Sequence, residues 1–319
     1  MNKDAKIYVA GYKGLVGSAV FRRLAAGGYT NTFGSDAADF DLTDFYSTDR
    51  FFERENPEYV VLAAAKVGGI KANDAFPADF IRINLQIQTN VIEAAYRHGV
   101  KKLLFLGSSC IYPKLAPQPL REEHLLSGYL EPTNDAYALA KIAGIVMCKS
   151  YNRQHGTNFI AAMPTNLYGP GDNFDLETSH VLPAMIRKFH EAKIQGKSHV
   201  ELWGTGAPRR EFLFVNDLAD ALVFLLEHFD AGRDREAEKM FVNVGVGSDV
   251  TIKELAELVQ RAVGFTGEIR WNTAMPDGTP QKLLDVRRIA ELGWRASTTL
   301  ENGIAETYAW YVDALKERG

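Results

Sequence analysis

Two cysteines among 319 residues are too few for a disulfide framework. Cys110 and Cys148 point instead to a reducing compartment, most simply the cytoplasm. No apolar run approaches the length needed to span a bilayer. The opening MNKDAKIYVAG lacks the architecture of a secretion signal. Charge of neither sign dominates: 36 Lys and Arg against 40 Asp and Glu leave a formal net charge of −4. That balance gives no electrostatic case for a nucleic-acid or membrane partner. Internal repeats and low-complexity linkers are also missing, and no metal site is expected. What remains is an ordinary globular composition, 46% hydrophobic and 24% charged. The length suits one large domain or two linked ones.

The first half alternates strand and helix. Tyr59-Val60-Val61-Leu62-Ala63-Ala64, Lys102-Leu103-Leu104-Phe105-Leu106-Gly107 and Phe159-Ile160-Ala161-Ala162-Met163-Pro164 are continuous apolar runs, as in parallel strands buried on both faces. Between them lie helical segments, about Asp79 to His98 and Asp135 to His155, and a second strand is expected near Tyr29 to Gly34. This rhythm predicts an α/β fold with a doubly wound parallel sheet. It loosens after Tyr168-Gly169-Pro170-Gly171-Asp172-Asn173, which reads as turn and loop. Beyond come a helix from Val181 to Ala192, short strands at Val200–Trp203 and Glu211–Val215, an apolar helix from Asp217 to Phe229, and a return to the sheet at Phe241–Val244. Thr251 is expected to cap a further helix. A smaller C-terminal domain is thus woven in and out of the first.

The chain starts with its clearest local pattern. Lys6-Ile7-Tyr8-Val9-Ala10 reads as a strand, Gly11-Tyr12-Lys13-Gly14-Leu15-Val16-Gly17 follows at once, and Ser18 to Leu24 reads as an amphipathic helix. Strand, glycine turn and helix is the context of a dinucleotide fingerprint, here spaced G-x-x-G-x-x-G. Gly11 permits the tight turn, and Gly14 lets backbone N–H groups approach a pyrophosphate. Gly17 lets the helix pack on the strand, and the helix N-terminus favours the anion.

Tyr137-Ala138-Leu139-Ala140-Lys141 sets a phenol and an ammonium one turn apart on one helical face. A free phenol has a pKa of about 10. A cation beside it is expected to bring that value toward the working range, so that the phenol can hand a proton to a ketone oxygen as hydride reaches the carbon. Gly107-Ser108-Ser109-Cys110-Ile111-Tyr112 follows the strand beginning at Lys102, at the carboxyl edge of the sheet where open α/β folds bind ligands. A serine hydroxyl there gives the same oxygen a second donor. Taken singly, these groups have plainer readings: a solvated surface pair, turn serines and a small buried thiol. Their joint occurrence and order point to carbonyl reduction.

Fingerprint, Ser-Ser-x-x-Tyr loop and Tyr-x-x-x-Lys, in that order, resemble the extended short-chain dehydrogenase/reductase family over nearly the whole chain. Longer strings resemble one branch of it: Gly107-Ser108-Ser109-Cys110-Ile111-Tyr112-Pro113, Leu130-Glu131-Pro132-Thr133-Asn134, Met163-Pro164-Thr165-Asn166-Leu167-Tyr168-Gly169-Pro170, Asp172-Asn173-Phe174 and Ser179-His180-Val181. That branch performs NADPH-dependent 3,5-epimerisation and 4-reduction of GDP-4-keto-6-deoxy-D-mannose. The resemblance implies an NADP-binding Rossmann domain over 1–168, with returns near 211–245, and mainly a substrate domain over 169–319. It implies NADP as cofactor, a GDP-sugar substrate and a homodimer formed through the two long helices. Ser108, Tyr137 and Lys141 match the reductase triad, and Cys110 and His180 match the epimerising pair. Cofactor contacts fall on Gly11, Tyr12, Lys13, Gly14, Leu15, Val16, Gly17, Leu106, Lys141, Pro164, Asn166, Leu167 and His180. Substrate contacts fall on Lys188, Trp203, Arg210 and Asp277.

The implied chemistry is coherent. Protons at C3 and C5 flank the C4 ketone, and their removal gives enolates that Tyr137 and Ser108 can stabilise. Inversion needs a base on one face and an acid on the other, and a thiol and an imidazole titrate near enough to neutrality to serve. Arg210 can pair bidentately with a diphosphate, Lys188 adds a point charge, Trp203 offers a flat apolar surface, and Asp277 can accept from hydroxyls. Two departures from the family bear on the cofactor. Tyr12-Lys13 stands where His-Arg or His-Lys is usual, and Gly34-Ser35-Asp36-Ala37-Ala38-Asp39-Phe40-Asp41-Leu42 lacks an expected arginine. Acidic residues there favour a ribose 2′-OH, whereas Lys13 retains a cation for a 2′-phosphate. Two other readings stay open: action on another GDP-4-keto sugar such as a heptose, and a dinucleotide-binding protein without chemistry.

Overall fold

The computed structural model describes residues 1–35, 40–231, 239–275 and 277–316. The acidic segment Asp36–Asp39, weighed above for cofactor choice, lies outside the described residues.

The first half runs β1 (Ile7–Ala10), α1 (Leu15–Ala26), β2 (Thr32–Ser35), α2 (Phe45–Glu55), β3 (Tyr59–Leu62), α3 (Ile70–Ala75), α4 (Pro77–Arg97), β4 (Lys102–Leu106), α5 (Asp135–His155) and β5 (Phe159–Pro164). The second half runs β6 (Asn166–Tyr168), α6 (Val181–Ile194), β7 (His199–Trp203), β8 (Arg209–Arg210), β9 (Phe212–Phe214), α7 (Val215–His228), β10 (Phe241–Val244), β11 (Val250–Thr251), α8 (Ile252–Val263), β12 (Glu268–Asn272), β13 (Gln281–Lys282), α9 (Arg287–Leu292) and α10 (Leu300–Lys316).

Among the described residues, the main sheet has the order β10-β5-β4-β3-β1-β2, parallel throughout. β4, β5 and β10 are buried along their whole length, which is why β4 and β5 read as long apolar runs. Two apolar layers cover the sheet. On one face Val91, Ile92, Ile142, Ile145 and Cys148 of α4 and α5 pack down. On the other, Ala19, Val20 and Leu24 of α1 meet Leu218, Leu222 and Leu225 of α7. Each Val, Leu or Ile among them, fully removed from water, stabilises the fold by roughly 1.5–3 kcal/mol. Cys148 is fully buried and packs in its helix. The strand order reverses between β1 and β3, so the loops after these two strands part and leave a crevice at the carboxyl edge.

One close approach sets the site. A Cβ on Gly144 would lie 2.4 Å from the Phe105 ring, so α5 reaches β4 only because that residue is glycine. This seats the first turns of α5 against the end of β4.

A third apolar cluster joins α6, α8 and α10, with Leu182, Phe189, Leu255, Val259 and Ile304 at its centre. Around it β7 pairs with β12, β8 with β11 and β13, and β6 with β9. Thr251 and Glu254 cap α8 reciprocally, as expected from the sequence. No helix among the described residues is long and apolar enough to cross a membrane.

Three boundaries differ from the sequence reading. α1 begins at Leu15, so Leu15, Val16 and Gly17 form its first turn; a Cβ on Gly17 would lie 2.0 Å from the Gly11 carbonyl oxygen. Strand two is Thr32–Ser35. The strand expected over Glu211–Val215 is broken at Glu211, and Val215 is already helical, two residues before Asp217.

Candidate functional site

Ser108 caps a single 3-10 turn, Ser109–Ile111, just beyond β4. Its hydroxyl lies 2.9 Å from the Cys110 sulfur and acts on the Tyr137 phenol, favouring its ionised form. The turn is anchored from behind. Tyr112 donates to Asn243 Oδ1 on β10 at 2.6 Å, and Asn243 Nδ2 donates to the Leu120 and Asp285 carbonyls. Sequence reading gave Asn243 no role, because nothing local marks it as the peg of a distant loop.

Tyr137 and Lys141 stand one turn apart on α5, as their spacing predicts. The expected electrostatics differ. The Lys141 ammonium donates to the Leu106 carbonyl at 2.8 Å and lies 5.9 Å from the Tyr137 ring centre. Burial drives the phenol well above its ordinary range; the charge of Cys110 adds to this and the Ser108 hydrogen bond opposes it. Lys141 is itself desolvated, and burial brings its ammonium down to about 8, against a weaker upward pull from Cys110. Without ligand, then, the lysine does not bring the phenol toward neutrality, because desolvation outweighs a cation whose proton is committed to a backbone carbonyl.

His180 is the residue preceding α6. It is exposed to solvent, yet desolvation by the surrounding protein lowers its imidazole below the ordinary range and favours the neutral ring. Among the described residues it makes no hydrogen bond to Cys110 or Tyr137, so the structure does not bring the expected pair into direct contact. Asp172, in the loop before it, has a buried Oδ2 with no partner among the described residues, and burial raises its carboxyl to about 7.

The glycine turn fits a dinucleotide. Gly11 has φ +82°, and a Cβ there would lie 2.8 Å from the Ala64 nitrogen in the loop after β3. Gly14 leaves the N-terminus of α1 without a side-chain cap, so its first-turn N–H groups can meet a pyrophosphate. Tyr12 packs over Gly34 of β2, where a Cβ would lie 2.3 Å from its ring, and the exposed Lys13 stands 5.8 Å from the Tyr12 ring centre. Pro164 ends β5, Leu167 packs into the core, and Asn166 Nδ2 donates to the Glu211 carbonyl. Leu106 presents its carbonyl to Lys141.

The substrate-side residues form a second group. Lys188 lies 5.8 Å from the ring centre of the half-exposed Trp203, and burial lowers its ammonium. Asp277 accepts from the Thr205 nitrogen (2.9 Å) and hydroxyl (2.7 Å), tying its turn to the end of β7. The next residue, Gly278, approaches Arg210 so closely that a Cβ would lie 3.0 Å from Nη2.

Lys282 escaped the sequence reading. β13 pairs with β8 in parallel, Gln281 beside Arg209 and Lys282 beside Arg210. The two faces of this pair are treated differently. Arg209 and Gln281 both reach Asp249, at 2.7 and 2.6 Å. Arg210 and Lys282 form no ion pair among the described residues and oppose one another electrostatically; burial is the main cause lowering each. Lys282 also feels the charge of Cys110. Two desolvated cations side by side, next to the thiol turn, form a face suited to an anion. A lone lysine in a two-residue strand carries no periodic signal that would have revealed it.

Comparison with known proteins agrees with this geometry. Residues 7–245 match the NAD dependent epimerase/dehydratase family. The chain is 58% identical over 317 residues to GDP-L-fucose synthase 1 of Arabidopsis thaliana, covering 99% of this chain and 96% of that one. It is 54% identical to a GDP-L-fucose synthase of Sinorhizobium fredii, covering 98% and 97%. Among solved structures, a GDP-D-glycero-L-gluco-heptose synthase from Campylobacter jejuni, solved in the presence of NADPH, superposes with TM-score 0.92 at 40% identity, covering 98% and 99%.

Proposed function

The chain belongs to the NAD dependent epimerase/dehydratase family, and from that premise we propose that it converts GDP-4-keto-6-deoxy-D-mannose to GDP-L-fucose by 3,5-epimerisation and NADPH-dependent 4-reduction. The observation that carries this reading is the Ser108 hydroxyl, 2.9 Å from the Cys110 sulfur and close enough to the Tyr137 phenol to act on its ionisation. A proton-transfer group for the carbons beside a ketone, on the turn after β4, and a proton donor for the ketone oxygen, on α5, thus both adjoin Ser108. Near-full-length identity of 58% and 54% to GDP-L-fucose synthases supports the same assignment.

NADPH, when bound, supplies hydride to C4. The turn of Gly11, Gly14 and Gly17 would hold its pyrophosphate, Lys13 would meet the 2′-phosphate, and Lys141 would reach its ribose. Arg210 and Lys282 grip the diphosphate of the GDP-sugar, with Trp203 and Lys188 flanking the nucleotide. Cys110 and His180 exchange the C3 and C5 protons; desolvation keeps His180 neutral and ready to accept. Ser108 and Tyr137 hydrogen-bond the C4 oxygen through each enolate. The high proton affinity of the buried Tyr137 keeps its phenol protonated until the C4 alkoxide takes that proton.

The test is to supply GDP-4-keto-6-deoxymannose and NADPH in deuterated water. Deuterium at C3 and C5 of a fucose product is expected; reduction without exchange would remove Cys110 and His180 from their assigned roles. The heptose reading is favoured by the Campylobacter fold match but stands at lower identity than the fucose one. A cytoplasmic homodimer belongs to the same proposal. Leu139 and Val146 of α5 are exposed apolar residues beside α4, and burying them against a second copy would brace the helix that carries Tyr137. An active species sedimenting at monomer mass would refute that arrangement.

A further inference from the structure

Glu211 breaks what would otherwise be one strand, and it is fully buried. Its carboxylate has no cation in contact among the described residues. Oε1 accepts from the backbone nitrogens of Val246 (2.6 Å) and Gly247 (2.7 Å), and Oε2 from that of Leu284 (2.9 Å). Its own backbone reaches both walls of the site. The carbonyl accepts from Asn166 Nδ2 at 2.8 Å and Thr165 Oγ1 at 3.2 Å, beside the cofactor edge. The nitrogen donates to the Lys282 carbonyl at 3.3 Å.

A carboxylate taken out of water with no counter-ion is costly, and burial pushes its proton affinity up. An apolar side chain of similar size would avoid that cost but would strand three backbone N–H groups, that of Leu284 in the interior. The fold also makes room for it: a Cβ on Gly245 would lie 2.3 Å from Oε1. The groups it fastens are the loop after β10 and the stretch after β13, and both flank the Arg210–Lys282 pair. Left unfastened, two mutually repelling cations would separate.

We propose that Glu211 is a positioning residue that holds Arg210 and Lys282 together as one anion-binding face against the cofactor edge of the sheet. The proposal rests on the GDP-sugar reading of that face.

The experiment compares Glu211→Gln with Asp217→Asn. Asp217 is another buried carboxylate, clamping Ser297 and Thr298 through four hydrogen bonds, and takes no part in the anion face. Both variants should lose thermal stability. Only Glu211→Gln should raise the calorimetric Kd for GDP, and the KM for the GDP-sugar, by about tenfold, as when a charged hydrogen bond is misplaced. The KM for NADPH should stay within about twofold of wild type. Unchanged GDP affinity in Glu211→Gln, or equal weakening in both variants, overturns the proposal. If Glu211→Gln does not fold, Glu211→Asp carries the same expectation and the same refutation. Failure of the wild type to bind GDP would instead refute the substrate reading, and inorganic pyrophosphate as probe would then test the anion face by the same comparison.

Discussion

The Ser108 hydroxyl lies 2.9 Å from the Cys110 sulfur and also acts on the ionisation of Tyr137, so one small group is placed to serve both halves of the proposed reaction. Ser108→Ala should therefore slow deuterium exchange and reduction together, each by about 10²-fold, the usual cost of one lost donor on a developing oxyanion. Cys110→Ser should chiefly impair exchange, and Tyr137→Phe should abolish reduction. Mass spectrometry of the product and the decay of NADPH absorbance report the two steps separately. A Ser108→Ala enzyme with normal exchange would show that the hydroxyl serves reduction alone.

Lys141 makes a prediction about pH. Its ammonium is lowered from 10.5 to about 8 by burial. Between those values the unfolded chain holds a proton that the folded chain has released, so this residue's contribution to stability rises with pH across that window. Below pH 8 the buried ammonium is a standing cost. Without nucleotide, Lys141→Met should melt higher than wild type at pH 7, by roughly 5 °C, and the two should converge toward pH 10. Parallel melting profiles would mean that Lys141 is not desolvated as described.

Asp172 predicts the opposite slope. Its carboxyl is raised from 3.8 to about 7 by burial, with one oxygen unpartnered among the described residues. Between those values the folded chain keeps a proton that the unfolded chain loses, so stability falls as pH rises. Asp172→Asn should thus melt a few degrees above wild type at pH 8 and match it at pH 4. Thermal scans at the two pH values decide this; a variant less stable at pH 8 would reveal a partner for the ionised form.

Much of this arrangement was legible in the chain because it depends on local spacing. Gly11, Gly14 and Gly17 mark a turn whose contacts lie within a few residues, and Tyr137 and Lys141 need only a helix to face the same way. The parts that were missed are set by residues distant in sequence. Whether Lys141 lowers the Tyr137 phenol depends on burial and on the Leu106 carbonyl, 35 residues away, which accepts its hydrogen bond. Glu211 reads as one polar residue in an apolar strand until the backbone of residues 246, 247 and 284 arrives around it. Lys282 gains meaning only from its register with Arg210. The start of α1 was misplaced for a related reason: Gly17 looks like loop by composition but is a helical residue pressed on the Gly11 carbonyl.

Lys13 is the residue proposed to set cofactor discrimination. Tyr12 lies over Gly34 near the carboxyl end of β2, and the exposed Lys13 follows it in the chain. In dinucleotide folds this is where the adenosine ribose rests and where a cation meets the 2′-phosphate. Lys presents a point charge rather than the fork of an arginine, so its contribution should be mainly electrostatic and sensitive to salt. Lys13→Ala should raise the KM for NADPH by about tenfold, the value of one charge-assisted contact, and leave that for NADH unchanged. Lys13→Arg should preserve or tighten NADPH binding. Equal losses with both cofactors would place Lys13 at the pyrophosphate instead, and a wild-type preference for NADH would show that the acidic stretch after β2 outweighs it.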